Sequence, residues 1–188
     1  MNNLSVLPDT YVCVDLETTG LHPCQDKIIE IGAVKVTDHV ITDTFQTLVD
    51  PGYPISDFIT GLTGITDEML SKAPGIFEAL PEFLDFANGR ILMGHNIHCF
   101  DIKFIISSCQ LVTGKPYTGD YFDTLKLSRK LFPSERHHRL SDLITRFHIA
   151  ETEEHRALSD ALQTVACYNY MRKHMNDHDI RSLSANNC

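Results

Sequence analysis

A single α/β domain with a mixed β-sheet is the fold class this sequence predicts, and three observations carry the expectation. Three β-branched or bulky apolar runs with short connections open the chain, the pattern of an antiparallel meander. A fourth short apolar run follows a helical stretch, so that later strands are separated by helices. At 188 residues and 43% apolar content, the chain is long enough for one full core.

In order, residues 1–10 (MNNLSVLPDT) form a lead-in with neither a basic start nor an apolar run, so no signal peptide is expected. Residues 11–16 (YVCVDL) have the character of a buried strand. Gly20 and Pro23 then mark a turn. Residues 27–36 (KIIEIGAVKV) and 40–49 (VITDTFQTLV) read as the second and third strands. Short helical pieces are expected over residues 56–70, with Thr66 and the following Asp67 and Glu68 opening one of them. Over residues 75–87 the spacing of Ile76, Phe77, Leu80, Phe83, Leu84 and Ala87 predicts an amphipathic helix that starts near Pro81 or kinks there.

Residues 90–94 (RILMG) read as a strand, and residues 100–111 as a helix turning Phe100, Phe104, Ile105 and Leu111 inward. Residues 114–119 form a turn-rich connection. Asp123 is placed to cap a helix ending before Pro133. A short helix over residues 140–147 and a last one over 156–174 complete the domain, which spans residues 11–174. Residues 175–188 are a polar, frayed tail.

The net charge of −9 argues against a protein that grips nucleic acid along its length through Lys and Arg. It leaves room for an enzyme that holds a strand end through cations bound to carboxylates. The six cysteines are scattered without ligand spacing, which points to a reduced, cytoplasmic chain without structural zinc. No apolar stretch is long enough to span a membrane.

Three segments carry candidate chemistry. Asp15 and Glu17 lie two apart on the first strand and therefore project from one face, while Val14 and Leu16 point into the core. Adjacent carboxylates repel and lose solvation, and a divalent cation would offset that cost. Asp101 follows HNIHCF just beyond a strand end, where open α/β sheets place ligands and where the helix dipole also favours an acid. His155 precedes Asp160 by five positions, which on one helix would set them about 140° apart. They converge if His155 sits on the loop before the helix. His137, His138 and His148 lack carboxylate or cysteine partners in sequence and read as a solvated loop. Lys126, Arg129, Lys130, Arg136 and Arg139 form the one basic stretch, for which a solvated helix face is the commoner explanation and guidance of a nucleic-acid backbone the other.

Together VDLETTG, LTGIT, HNIHCFD, the DTL at Asp123–Leu125 and HRALSDA resemble, in order and spacing, the DEDDh branch of the DEDD exonucleases. The DnaQ-like proofreading exonucleases of bacterial replicative polymerases belong to that branch. The resemblance covers most of the chain. It implies a ribonuclease-H-like fold with a five-stranded mixed sheet flanked by helices. It also implies removal of nucleoside 5′-monophosphates from the 3′ end of a nucleic acid, single-stranded DNA first and RNA as the alternative. Two Mg²⁺ or Mn²⁺ ions would be required, and an all-oxygen ligand set suits such hard cations.

By the same resemblance, Asp15, Glu17 and Asp160 ligate metal, with Asp101 doing so directly or through water, and His155 is the general base. Histidine as a residue type suits that work near neutral pH. Thr18, Leu62, Thr63, Asn96 and Phe100 match the positions that hold the terminal nucleotide, although a core role is equally compatible with Leu62 and Phe100. A catalytically silent binding module would lack one of the acidic positions, and none is missing. The polar tail offers no polymerase-binding segment, so a stable polymerase complex is not expected.

Overall fold

A computed structural model describes residues 7–178 and 180. Strand β1 (Tyr11–Thr18) pairs antiparallel with β2 (Ile28–Thr37), which pairs antiparallel with β3 (Val40–Leu48), giving the expected meander. Short helices α1 (Asp57–Thr63) and α2 (Asp67–Leu70) follow, capped by the Ser56 and Thr66 hydroxyls. Then come α3 (Ile76–Ala87), β4 (Leu92–Gly94), α4 (Asp101–Thr113), β5 (Tyr121–Asp123), α5 (Thr124–Leu131), α6 (Leu140–Arg146) and α7 (Ala157–Asp177). The sheet order is β3-β2-β1-β4-β5, with β4 and β5 parallel to β1.

Alternation along β1 builds two cores. Val12, Val14 and Leu16 pack with Leu80 and Phe83 of α3 and Phe104 and Ile105 of α4. Tyr11 and Cys13 face the other way, toward Val165, Tyr168 and Met171 of α7 and Leu143 of α6. Each large apolar side chain so buried stabilises the fold by about 1.5–3 kcal/mol. Asp15 and Glu17 continue the row begun by Tyr11 and Cys13, so the sheet directs them to the α7 side. Strand β1 also runs on past Cys13, its last partner on β4, leaving its carboxyl end open for ligands.

Gly32 on β2 decides how closely α7 can approach. A Cβ there would lie 2.1 Å from the Ala157 carbonyl carbon and from the Leu158 nitrogen. Only glycine lets the first turn of α7 rest its backbone directly on the sheet.

The structure departs from the sequence expectations at several points. Helix α3 begins at Ile76, five residues before Pro81, and continues through it. The bond that proline removes would have gone to the carbonyl of Phe77, which lies on the exposed side of the helix, the residue being 61% exposed. Phe77 itself is therefore not a core residue. Leu111 is 54% exposed rather than inward. Strand β5, only three residues long, follows directly on the turn-rich connection. Helix α7 extends to Asp177 with Met175 buried, so residues 175–177 belong to the domain and not to a frayed tail. Residues 179 and 181–188 of the expected tail lie outside the described residues. Among the described residues, no helix is long and apolar enough to cross a membrane, and the five cysteines present there are free; Cys188 is not among them.

Candidate active site

The site is assembled at the carboxyl ends of β1 and β4 and the first turn of α7. Asp15 and Glu17 lie on the last half of β1, and the β1–β2 register shifts between Glu17 and Thr18, a bulge of the kind that re-aims side chains beside functional sites. Asp160 is in the first turn of α7 and is 2% exposed. One carboxylate oxygen from each of Asp15, Glu17 and Asp160 can be chosen so that all lie within 4.8 Å of one another. His155, Asp160 and Glu153 form a second group of the same tightness.

His155 precedes α7, whose N-cap is Arg156, and its backbone is in the left-handed region at φ 52°. That conformation is costly for a non-glycine residue. It is also what allows the five-residue spacing to converge on one point. The turn is held in place by a carboxylate that the sequence analysis passed over. Glu30 of β2, fully buried, accepts hydrogen bonds from Arg156 Nη2 at 2.7 Å, Arg156 Nε at 3.1 Å, the Ala157 N–H at 3.0 Å and Gln46 Nε2 at 2.9 Å. One of the four unpaired N–H groups opening α7 is thereby satisfied by a side chain from the sheet. Burial pushes the Glu30 carboxyl up, but the bonds from Arg156, Ala157 and Gln46 outweigh it and hold the group below the ordinary carboxylate range.

The neighbouring acids behave in the opposite way. Burial first, then the charges of Asp101, Asp160 and Glu17, raises Asp15 well above its ordinary value. Burial and then Asp160 and Glu30 bring Glu17 to about 8. Burial and then Glu153 bring Asp160 to about 6, against the opposing pull of His155. Burial brings Asp101 to about 7 despite hydrogen bonds from its own and the Leu16 backbone. Asp160 also buries an oxygen, Oδ1, with no hydrogen-bond partner. An acid cluster with a buried, unsatisfied oxygen and mutual repulsion as its main charge interaction fits a cation and little else. The donors are all carboxylate oxygens, which suits a hard divalent ion.

The other sequence-named residues are distributed unevenly. Asp101 opens α4, 3% exposed, and exerts the largest charge effect on Asp15, but it belongs to neither tight donor group. Asn96, at φ 63°, lines a cleft of about 900 Å³ with Asp15 and His155. Its loop is braced by Asp123, whose carboxylate accepts from the Asn96, His98 and Leu125 N–H groups, so this N-cap holds α5 and the β4–α4 loop together. Thr18, Leu62, Thr63 and Phe100 do not line that cleft. Thr18 and Thr63 are buried, their hydroxyls donating to the carbonyls of Gly20 and Ile59. Phe100 packs against Phe104, while Leu62 is 41% exposed.

His138 is a brace and not a solvated residue. It accepts from Ser128 Oγ at 2.6 Å and donates to the Glu135 carbonyl, and its own carbonyl accepts from His95 Nε2 at 2.8 Å. Glu153, like Glu30, was missed from sequence. It sits in an acidic run (ETEE) that carries no spacing signal, and only the fold brings it to His155.

Residues 12–168 match the RNase_T exonuclease family. The chain belongs to that family. It is 40% identical over 164 residues to DNA polymerase III subunit epsilon of Aquifex aeolicus, covering 87% of this chain and 81% of that protein. It is 42% identical over 178 residues to the PolC-type DNA polymerase III of Caldanaerobacter subterraneus, where the match covers 95% of this chain but 13% of the relative's length. The fold is shared with the nuclease domain of 3′hExo, a DEDDh family member solved bound to rAMP. There the TM-score is 0.75 at 23% identity, covering 88% of this chain and 92% of that one. The ribonuclease-H-like architecture expected from sequence is thus present, and the domain is an exonuclease domain similar to DNA polymerase III subunit epsilon.

Replacing Glu30 with Gln leaves Arg156 uncompensated beneath α7. A buried pair broken on one side costs about 3–5 kcal/mol, reduced here to about 2 because Arg156 is partly exposed. Urea unfolding of Glu30→Gln is expected to show that loss as a lower midpoint. Single-turnover hydrolysis should fall at least about tenfold as His155 and Asp160 lose their fixed position.

Proposed function

We propose that this domain is a divalent-metal-dependent 3′–5′ exonuclease that acts on the 3′ end of single-stranded DNA and releases nucleoside 5′-monophosphates. The observation that carries the reading is the convergence of Asp15, Glu17 and Asp160 within 4.8 Å, with His155 beside Asp160.

In this reading Asp15, Glu17 and Asp160 would hold two Mg²⁺ or Mn²⁺ ions, with Asp101 contributing directly or through water. Bound there, such ions would offset the charge of the scissile phosphate and of the attacking and leaving oxygens in an in-line displacement. His155 takes the proton from the attacking water at a ring nitrogen, and Asp160 beside it stabilises the imidazolium that results. The left-handed turn and the Glu30 clasp keep that nitrogen over the carboxylates without reorganisation during the reaction. Asn96 contributes to the wall where the terminal nucleotide rests, while Leu62, exposed, and Phe100, packed on Phe104, lie outside that cleft. Thr18 and Thr63 shape the two turns that border it.

DNA is favoured because the relatives matched over most of this chain are DNA polymerase III components. RNA is the second reading, supported by the fold neighbour solved with rAMP. Nothing in the proposed chemistry needs a stable polymerase partner.

The test is degradation of 5′-labelled single-stranded DNA and RNA of one sequence with Mg²⁺, Mn²⁺ or EDTA. A metal-dependent ladder shortening DNA from its 3′ end is expected. Asp15→Asn should be slower by about a hundredfold or more, the scale on which losing one preorganised electrostatic partner slows an enzyme. A ladder on RNA alone would move the substrate to RNA, and full activity in Asp15→Asn would sink the site assignment.

The raised carboxyls add a pH signature. Their folded values, about 6 for Asp160, about 7 for Asp101 and about 8 for Glu17, exceed the ordinary 3.8 and 4.5. The folded state therefore binds protons more tightly than the unfolded state. The associated stability is complete below about pH 4 and is lost as pH rises through about 6 to 8. In EDTA the thermal midpoint should decline across that window. Mg²⁺ or Mn²⁺ should restore more of it at its upper end than at its lower end. A metal-induced gain that is equal at both ends would contradict this placement of the ions.

A further inference from the structure

The cleft of about 900 Å³ that contains Asp15, Asn96 and His155 extends well beyond them, to Arg129 on α5 and to Arg136 and Arg139 on the α5–α6 loop. That volume is at the top of the range for a site that encloses one small ligand, about 300–1,000 Å³. A second concavity of about 470 Å³ continues from it across α6 and shares Arg136, His137, Arg139 and Ser141. The two adjoin as one groove that begins at Asp15 and carries Arg129, Arg136 and Arg139 together with the acids Glu135, Asp142, Glu151 and Glu153.

The cations of this groove are not equivalent. Arg139 is engaged by Asp142 at 3.1 Å and Arg146 by Glu135 at 3.1 Å. Among the described residues, Arg129 and Arg136 are exposed and have no carboxylate within ion-pair distance. The surroundings of Arg136 are fixed on both sides. The Glu135 carboxylate accepts from Arg146 Nη2 and its carbonyl from His138 Nε2, the His137 carbonyl accepts from Arg146 Nη2, and His138 is braced to Ser128 and His95. The backbone on both sides of Arg136 is thus anchored, while its side chain is exposed in the groove beside those of His137 and Arg139. An acidic chain with net charge −9 has carboxylates to spare for pairing, yet these two guanidiniums face the groove without one.

We propose that this groove binds the phosphodiester backbone of a single DNA strand on the 5′ side of the terminal nucleotide, with Arg129 and Arg136 each holding a phosphate. A planar guanidinium donates in the fork geometry that phosphate oxygens accept, and a loop fixed in advance loses little entropy on binding. The contacts carry no base information, so the groove accepts any sequence. This rests on the exonuclease reading and extends it from the reacting end to the strand behind it.

The test compares the full chain with the double variant Arg129→Ala/Arg136→Ala in Mg²⁺. One substrate is the p-nitrophenyl ester of thymidine 5′-monophosphate, which reaches the carboxylate cluster alone; the other is an oligothymidylate long enough to span the groove. The KM for the oligonucleotide should rise about tenfold with kcat little changed. The steepness of log KM against log salt should drop by about 1.4, two phosphate contacts at about 0.7 each for a single strand. The variant should process the ester as the parent does, and Arg136→Lys should recover part of the oligonucleotide affinity. An unchanged oligonucleotide KM and salt slope in an active enzyme would overturn the groove alone. Equal losses on ester and oligonucleotide would overturn it too, since the arginines would then support the site and not the strand. Absence of metal-dependent turnover by the parent on either substrate would instead remove the exonuclease reading, and the groove with it.

Discussion

The buried carboxylate of Glu30 is the constraint on which the site depends. It receives two bonds from Arg156 and one from the Ala157 N–H, tying the start of α7 to the centre of the sheet. Gly32, two residues along β2, removes the Cβ that would hold the helix away. Because His155 immediately precedes this clasp and Asp160 lies one turn beyond it, both are located by a contact neither of them makes. The clasp also places Arg156 near Glu17, so that one member of the acid cluster has a cation close by.

Around that fixed point the structure stores an electrostatic conflict. Asp15, Glu17 and Asp160 are held within 4.8 Å by strand periodicity and the first turn of α7, and the opening of α4 buries Asp101 where its charge acts on Asp15. Burial raises all four above the ordinary carboxylate range, helped by repulsion within the cluster at Asp15 and Glu17, from Asp123 at Asp101 and from Glu153 at Asp160. A sheet and two helices buried over large apolar faces can impose this arrangement, since the two cores supply far more stabilisation than the cluster removes. The conflict is what makes the site selective for positive charge: no neutral ligand would relieve it, and a divalent ion relieves it at several carboxylates together. The arginines of the neighbouring groove are a second, separate use of charge, placed where an extended polyanion would leave the cluster.

Much of this was legible in the sequence where the signal is periodic. The two-residue alternation along β1 placed Asp15 and Glu17 on one face, and Asp123 announced a helix start through its cap chemistry. Legibility fell where the determinant is long-range. Glu30 looks like one polar residue in a buried strand, and its partner Arg156 is 126 positions away. Glu153 lies in an acidic run without pattern, and His138 reads as surface until Ser128 and His95 are brought to it. Strand β5 is too short for periodicity, and it is held by its parallel pairing with β4. The helical spacing over residues 75–87 located α3, and only the alternative that placed its start near Pro81 fails, because the apolar stripe of Ala79, Leu80, Phe83 and Ala87 outweighs the missing N–H. Leu111 was placed inward by extending a pattern one turn too far along α4.

Anomalous scattering from a crystal of the wild-type domain grown with Mn²⁺ and a nucleoside 5′-monophosphate tests the central claim most directly. The account predicts two manganese peaks among the carboxylates of Asp15, Glu17 and Asp160, with His155 facing them across the phosphate. Peaks elsewhere on the molecule, with none between these three side chains, would contradict it.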